Sequence, residues 1–275
     1  MAVAVAAITA VAWAVPIVSA EGDRESFSNE SSAFAQINGG TKTPITKGQV
    51  IASGKRLPDD SCDTPDYKVG MRGDVKSISI IVDEDDCSLV VLDIETNPKW
   101  AELEAMFEAQ SAGGGASALS GGYKWRAEAV GEYRGYGAGE ELTQSTASVE
   151  FFTDTFAGGP SDPVHSGSNP YADCWAKYLP ISQEVWYWIE DYCYHNGYNL
   201  SGPNYIDTTT QGGFHWDNPN YPWWTWYHDI LADAAGLGYE SGVDRFYADC
   251  PVFGDPPPSP ASFVCENNWA YLGFY

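Results

Sequence analysis

Ser77-Ile78-Ser79-Ile80-Ile81-Val82 and Cys87-Ser88-Leu89-Val90-Val91-Leu92-Asp93-Ile94-Glu95 flank an acidic quartet, Asp83 to Asp86. Two β-branched runs around a polar break predict strand, turn, strand. The same signature recurs along the chain. Tyr123–Tyr133 pairs naturally with Leu142–Asp154 across a Gly-rich turn at 135–139, with Trp125, Ala127 and Ala129 alternating against Lys, Arg and Glu. Further strands are expected near Gln49–Ile51, Gln183–Tyr194, Tyr205–Thr210, Gly213–Trp216, Pro222–Leu231, Val243–Ala248 and Asn268–Phe274. One segment, Lys99–Gln110, carries helical spacing: Trp100, Leu103, Met106 and Phe107 share a face, and glycines at 113–115 end it. No repeat period emerges, which argues against a propeller or solenoid. The expectation is an all-β, mainly antiparallel sandwich or open barrel with one short helix at 99–110.

Cysteine usage adds staples to that frame. Cys62, Cys87, Cys174, Cys193, Cys250 and Cys265 form an even set without any C-x-x-C pair, so disulfides are the economical reading. Neighbour pairing gives Cys62–Cys87, Cys174–Cys193 and Cys250–Cys265. Export fits this. Residues 1–20 (MAVAVAAITAVAWAVPIVSA) lack charged side chains, break at Pro16 and end in Val18-Ser19-Ala20, like a signal peptide and its cleavage site. The usual basic start is missing, and an uncleaved anchor is the competing reading. A secreted, extracellular protein is expected.

The domain reading follows composition. Residues 21–48 are polar and read as a flexible lead-in, 49–156 as an N-terminal β domain, 157–170 as a Gly/Pro/Ser linker and 171–275 as an aromatic-rich C-terminal β domain. Two packed β domains or one elongated sandwich both satisfy this pattern.

Charge narrows the partners. The net charge is −24 with 14 Lys plus Arg, and beyond Tyr171 the basic side chains are Lys177 and Arg245. Phosphate contacts need several cations, so nucleic acid and anionic membrane surfaces are excluded as partners, and no membrane contact is expected after signal removal. Neutral polysaccharide, a cell-envelope component or an extracellular protein fits. No cofactor is called for. Calcium at Asp83–Asp86 is weakly supported, because the run lacks the ligand alternation and glycine of an EF-hand loop.

Residues 171–275 hold eight of the eleven tryptophans and thirteen of the seventeen tyrosines. Their densest stretch is FHWDNPNYPWWTWYHD at 214–229. Strand alternation puts Trp224, Trp226, His228 and Ile230 on one face, with Trp223, Thr225, Tyr227, Asp229 and Leu231 on the other. It likewise sets Trp186, Trp188, Tyr192 and Tyr194 opposite Val185, Tyr187 and Ile189. Both faces are aromatic, and a small domain does not bury so many rings completely. Trp186, Trp188, Trp223, Trp224 and Trp226, with Asp217 and Asp229 beside them, are the candidate ligand-binding set. Flat rings flanked by acids and amides suit sugars, whose C–H faces stack while hydroxyls bond the rim.

Chemistry-bearing patterns are thin. His215 and His228 are weak metal candidates without a recognised ligand spacing. Glu184 and Glu190 would stand roughly 20 Å apart on a straight strand, beyond the reach of a glycosidase pair. No nucleophile elbow, P-loop or zincin signature occurs. The leading expectation is a secreted non-catalytic protein that binds carbohydrate or a cell-envelope polymer through an aromatic surface. The alternatives are a secreted hydrolase using Asp217, Asp229, His215 or His228, and a purely structural surface or matrix protein.

Overall fold

A computed structural model describes residues 32–58, 61–112, 122–135, 139–154, 164–176, 178–181, 184–200, 205–217, 226–237, 246–254 and 261–275. The expected signal at 1–20 lies outside the described residues. In chain order the first elements are β1 (Ala33–Ile37), β2 (Thr43–Pro44), β3 (Val50–Ser53), β4 (Lys55–Arg56), β5 (Cys62–Asp63), β6 (Tyr67–Arg72), β7 (Val75–Val82) and β8 (Ser88–Thr96). Then come α1 (Trp100–Ala112), β9 (Tyr123–Gly135), β10 (Glu140–Thr153), β11 (Val164–Ala176), β12 (Tyr178–Ile181) and β13 (Glu184–His195). The chain ends with β14 (Asn199–Leu200), β15 (Tyr205–Asp217), β16 (Trp226–Leu237), β17 (Phe246–Gly254), β18 (Ala261–Asn267) and β19 (Ala270–Phe274).

These strands make a two-sheet sandwich rather than a closed barrel. The larger sheet runs β12-β13-β15-β16-β17-β6-β1-β2, with β14 beside β15. The smaller runs β11-β10-β9-β18-β7-β8-β3, with β19 along the early part of β9, and β4-β5 form a separate ribbon. All described pairings are antiparallel.

The two expected hairpins appear as β7-β8 and β9-β10. The helix also forms, and it runs two residues past Gln110, to Ala112. Trp100 and Leu103 are buried on it, whereas Met106, expected on the same face, is exposed. Trp100 meets Trp269 edge-on at 5.9 Å, and the Trp269 indole donates to the Gly73 carbonyl at 2.9 Å.

The sheets are shared between chain segments that composition had separated. β6 pairs with β17, and β18 sits between β7 and β9. Strands from before residue 157 and after residue 170 therefore lie in both sheets, and the two segments do not each own one. Within the expected linker, residues 164–170 belong to β11, which pairs along β10. Within the expected lead-in, Ala33-Phe34-Ala35 is buried and pairs with β6. In both places long-range pairing overrides a turn-like composition.

Cβ alternation builds the core. β9 sends Trp125, Ala127, Ala129 and Tyr133 inward toward the larger sheet, which contributes Phe214, Trp216, Ile230 and Phe246. Large rings fit because small residues face them. A Cβ added at Gly236 would come within 2.3 Å of the Phe151 ring, and one at Gly131 within 2.6 Å of Ile230. Glycine on one sheet thus makes room for a large side chain from the other. The buried rings include Trp125, Phe151, Trp188, Phe214, Trp216, Phe246 and Phe263.

Three disulfides pair as neighbour order predicts: Cys62–Cys87, Cys174–Cys193 and Cys250–Cys265. Two of them are staples between sheets. Cys250–Cys265 joins β17 to β18 and Cys174–Cys193 joins β11 to β13, whereas Cys62–Cys87 ties the β4-β5 ribbon to the turn before β8. Three bridges accord with folding in an oxidising compartment.

Candidate binding face

The outward surface of β13, β15, β16 and β17 carries the exposed rings of Tyr192, Tyr194, Tyr227 and Phe253. β13 and β15 pair Ile189 with His215, Tyr192 with Gly213 and Tyr194 with Gln211. Across β16 those rows continue to Tyr227, Asp229 and Leu231, and Phe253 on β17 extends the middle one. Tyr227 is 59% exposed, Tyr194 54% and Tyr192 41%. Tyr192 and Tyr227 are two strands and one step apart, roughly 12 Å along the sheet.

Tyr192 lies across Gly213. A Cβ there would stand 2.1 Å from the tyrosine ring, so the ring rests on bare backbone. Its hydroxyl accepts from Gln211 Nε2 at 3.2 Å, and Gln211 Nε2 also reaches Asp229 Oδ2 at 3.4 Å. Partial burial, followed by a hydrogen bond to Asp229, raises the Tyr192 hydroxyl pKa. Burial likewise raises the Asp229 carboxyl, against the hydrogen bonds from Tyr192 and Gln211. His215 Nδ1 meets Asp191 Oδ1 at 2.7 Å, and its ring lies 5.7 Å from that of Tyr227.

These are not the rings that alternation selected. The register slips between Glu190 and Tyr192, leaving Asp191 as an extra residue. A bulge of this kind reverses the faces beyond it. Trp188 therefore points inward, 6% exposed and 4.9 Å from His228, while Tyr192 and Tyr194 point outward. Trp226 is half-buried against Trp216 at 4.3 Å. Trp223 and Trp224, and the side chains of Trp186 and Asp217, lie outside the described residues. Of the expected ligand set, Asp229 stands on the outward face and Trp188 does not. Two cues for the tyrosines were present in the sequence: paired glycines at Gly212-Gly213 mark close approach within a strand, and Tyr192-Cys193-Tyr194 alternates around a bridged cysteine.

His215 and His228 do not share a site. In the β15-β16 register His215 stands beside Tyr227 on the outside, whereas His228 stands beside Phe214 in the core. Both imidazoles on one ion is thereby ruled out, which corrects the paired metal reading. Among the described residues no group of three or more His, Cys, Asp and Glu is placed to hold a metal ion. At the acidic turn, Asp83 Oδ1 accepts from Asp85 N at 2.9 Å and Asp86 Oδ1 from Ser88 N at 3.0 Å, so these carboxylates cap their own turn.

Family models, curated proteins and solved structures were compared with the chain, and none matches it.

Further along the same face, Asp233 and Asp249 stand directly opposite each other on β16 and β17. Lys68 Nζ bonds Asp249 Oδ2 at 2.8 Å, and the Tyr247 hydroxyl donates to the same oxygen at 2.9 Å. Burial, and then the facing Asp249 carboxylate, hold Asp233 well above the usual carboxyl range. The Asp249 charge raises the Lys68 ammonium in turn. Lys68 thus neutralises a pair that otherwise repels across the strands. Lys68→Met is expected to destabilise by about 2 kcal/mol by leaving a buried carboxylate without its cation, and urea unfolding at neutral pH measures it. An unchanged midpoint would show that the pair neutralises itself.

Proposed function

We propose that this is a secreted, non-catalytic protein that binds carbohydrate or a cell-envelope polymer on the outward face of its larger sheet. The observation that carries the reading is Tyr192, laid flat over Gly213 with its hydroxyl held beside Gln211 and Asp229. A ring seated on backbone loses little conformational freedom when a sugar stacks on it. Tyr194 and Tyr227 flank it, so a linear polymer has successive rings to follow. The three disulfides and the apolar, uncharged stretch at residues 1–20 support export.

Pull-down on insoluble polysaccharides tests this. Tyr192→Ala and Tyr227→Ala are each expected to weaken retention roughly tenfold, since one stacked ring is worth about 1 kcal/mol or slightly more. Wild-type protein that no glycan retains, or retention indifferent to both changes, would defeat the proposal. The same incubation reads out the hydrolase alternative. Soluble sugar released by wild type and not by Asp229→Asn would replace binding with catalysis.

A further inference from the structure

We infer that the polymer held on this face carries positive charge, the simplest such ligand being a glycan with free amines; this rests on the binding reading above. The span from Glu184 to Leu237, which supplies β13, β15 and β16, contains seven acidic residues and no Lys or Arg. Among the described residues of these strands, the acidic side chains that act on Tyr192 are Asp229 and Asp191. Asp191 is hydrogen-bonded to His215 Nδ1 at 2.7 Å. Lys68, among the described residues of the same sheet, is committed to Asp249.

Such a surface discriminates by charge. A neutral sugar gains only stacking and rim hydrogen bonds. A uronate or phosphate polymer meets the like charge of Asp191 and Asp229. An ammonium gains twice, because it is drawn to the negative face of the tyrosine ring and to the carboxylates beside it. Asp229 suits this role. Its partly buried carboxyl is held back from ionising by burial, and an arriving cation favours the charged form.

The test compares chitosan, with its amines charged, against chitin, cellulose and alginate. Chitosan is expected to bind at least tenfold tighter than chitin at low salt, with alginate not retained. That preference should shrink as salt rises from about 0.05 to 1 M, where screening shortens from more than 10 Å to about 3 Å. A net charge of −24 draws any polycation, so the deciding variant is Asp191→Asn with Asp229→Asn, which leaves −24 + 2 = −22. Loss of the preference with chitin binding kept supports the inference. A preference that survives in the double variant overturns it, as does equal, salt-independent binding of chitosan and chitin; the binding reading then stands if Tyr192→Ala still weakens retention. Protein retained by none of these polymers sinks both.

Discussion

Replacing both Cys250 and Cys265 by alanine is expected to destabilise the protein by about 3 to 5 kcal/mol and to lower its melting temperature on the order of 10 °C. The loop closed is 15 residues long, which in the chain-entropy model accounts for about 3 kcal/mol. The remainder comes from packing. Both cysteines are buried, and the bridge sits between β17 of one sheet and β18 of the other, in contact distance of Gly131. Alanine leaves the volume of two sulfurs unfilled at that junction. Cys62–Cys87 closes a longer loop of 25 residues, so loop entropy alone ranks it as the stronger staple. Its anchor is the β4-β5 ribbon, outside both main sheets, so its removal is expected to loosen that ribbon and cost less globally. Thermal melts of both double variants decide between entropy and position. A larger loss for Cys62–Cys87 would show that joining the sheets adds nothing beyond loop closure.

Local pattern revealed the hairpins, and long-range pairing hid the rest. β7-β8 and β9-β10 were legible because each couples two alternating runs through one turn. β18 (ASFVCEN) was missed, although it is central in the smaller sheet, because seven residues after a proline-rich stretch give little periodic signal. β17 pairing with β6 has no local signature at all. At the binding face, the excess of rings was readable while the choice of rings was not. One unpaired residue, Asp191, reversed the parity of β13, and Gly236 admitted the Phe151 ring where a side chain would exclude it. Trp188 and Trp216 went to the core and Tyr192, Tyr194 and Tyr227 to the surface, where a hydroxyl can reach water or a partner.

His228→Phe is expected to flatten the acid side of the stability profile. His228 is fully buried against Tyr133, Trp188 and Phe214, with its Nε2 sharing a hydrogen bond with Thr143 Oγ1 at 2.9 Å. Burial drives its pKa down to about 3, against roughly 6.5 in an unfolded chain. Between those values the unfolded chain takes up a proton that the native core refuses. Stability therefore falls as pH drops from about 6.5, by roughly 1.4 kcal/mol per unit, approaching about 5 kcal/mol near pH 3. Tyr133, the titratable ring beside it, stays neutral throughout because burial raises its pKa. Asp233 works in the opposite direction. Its raised carboxyl means the native state keeps a proton that the unfolded chain releases above roughly pH 4, so stability falls as pH rises toward its folded value. Where the two windows overlap, the slopes cancel. Wild type is expected to show a muted slope within that overlap and the full His228 slope below about pH 4, where Asp233 is protonated in both states. Asp233→Asn removes the opposing contribution and steepens the acid fall, and His228→Phe removes that fall at a fixed cost of about 1 kcal/mol for the Thr143 hydroxyl left unpaired. Urea midpoints across this range check all three profiles, and an acid slope unchanged in His228→Phe would mean that other groups drive acid unfolding.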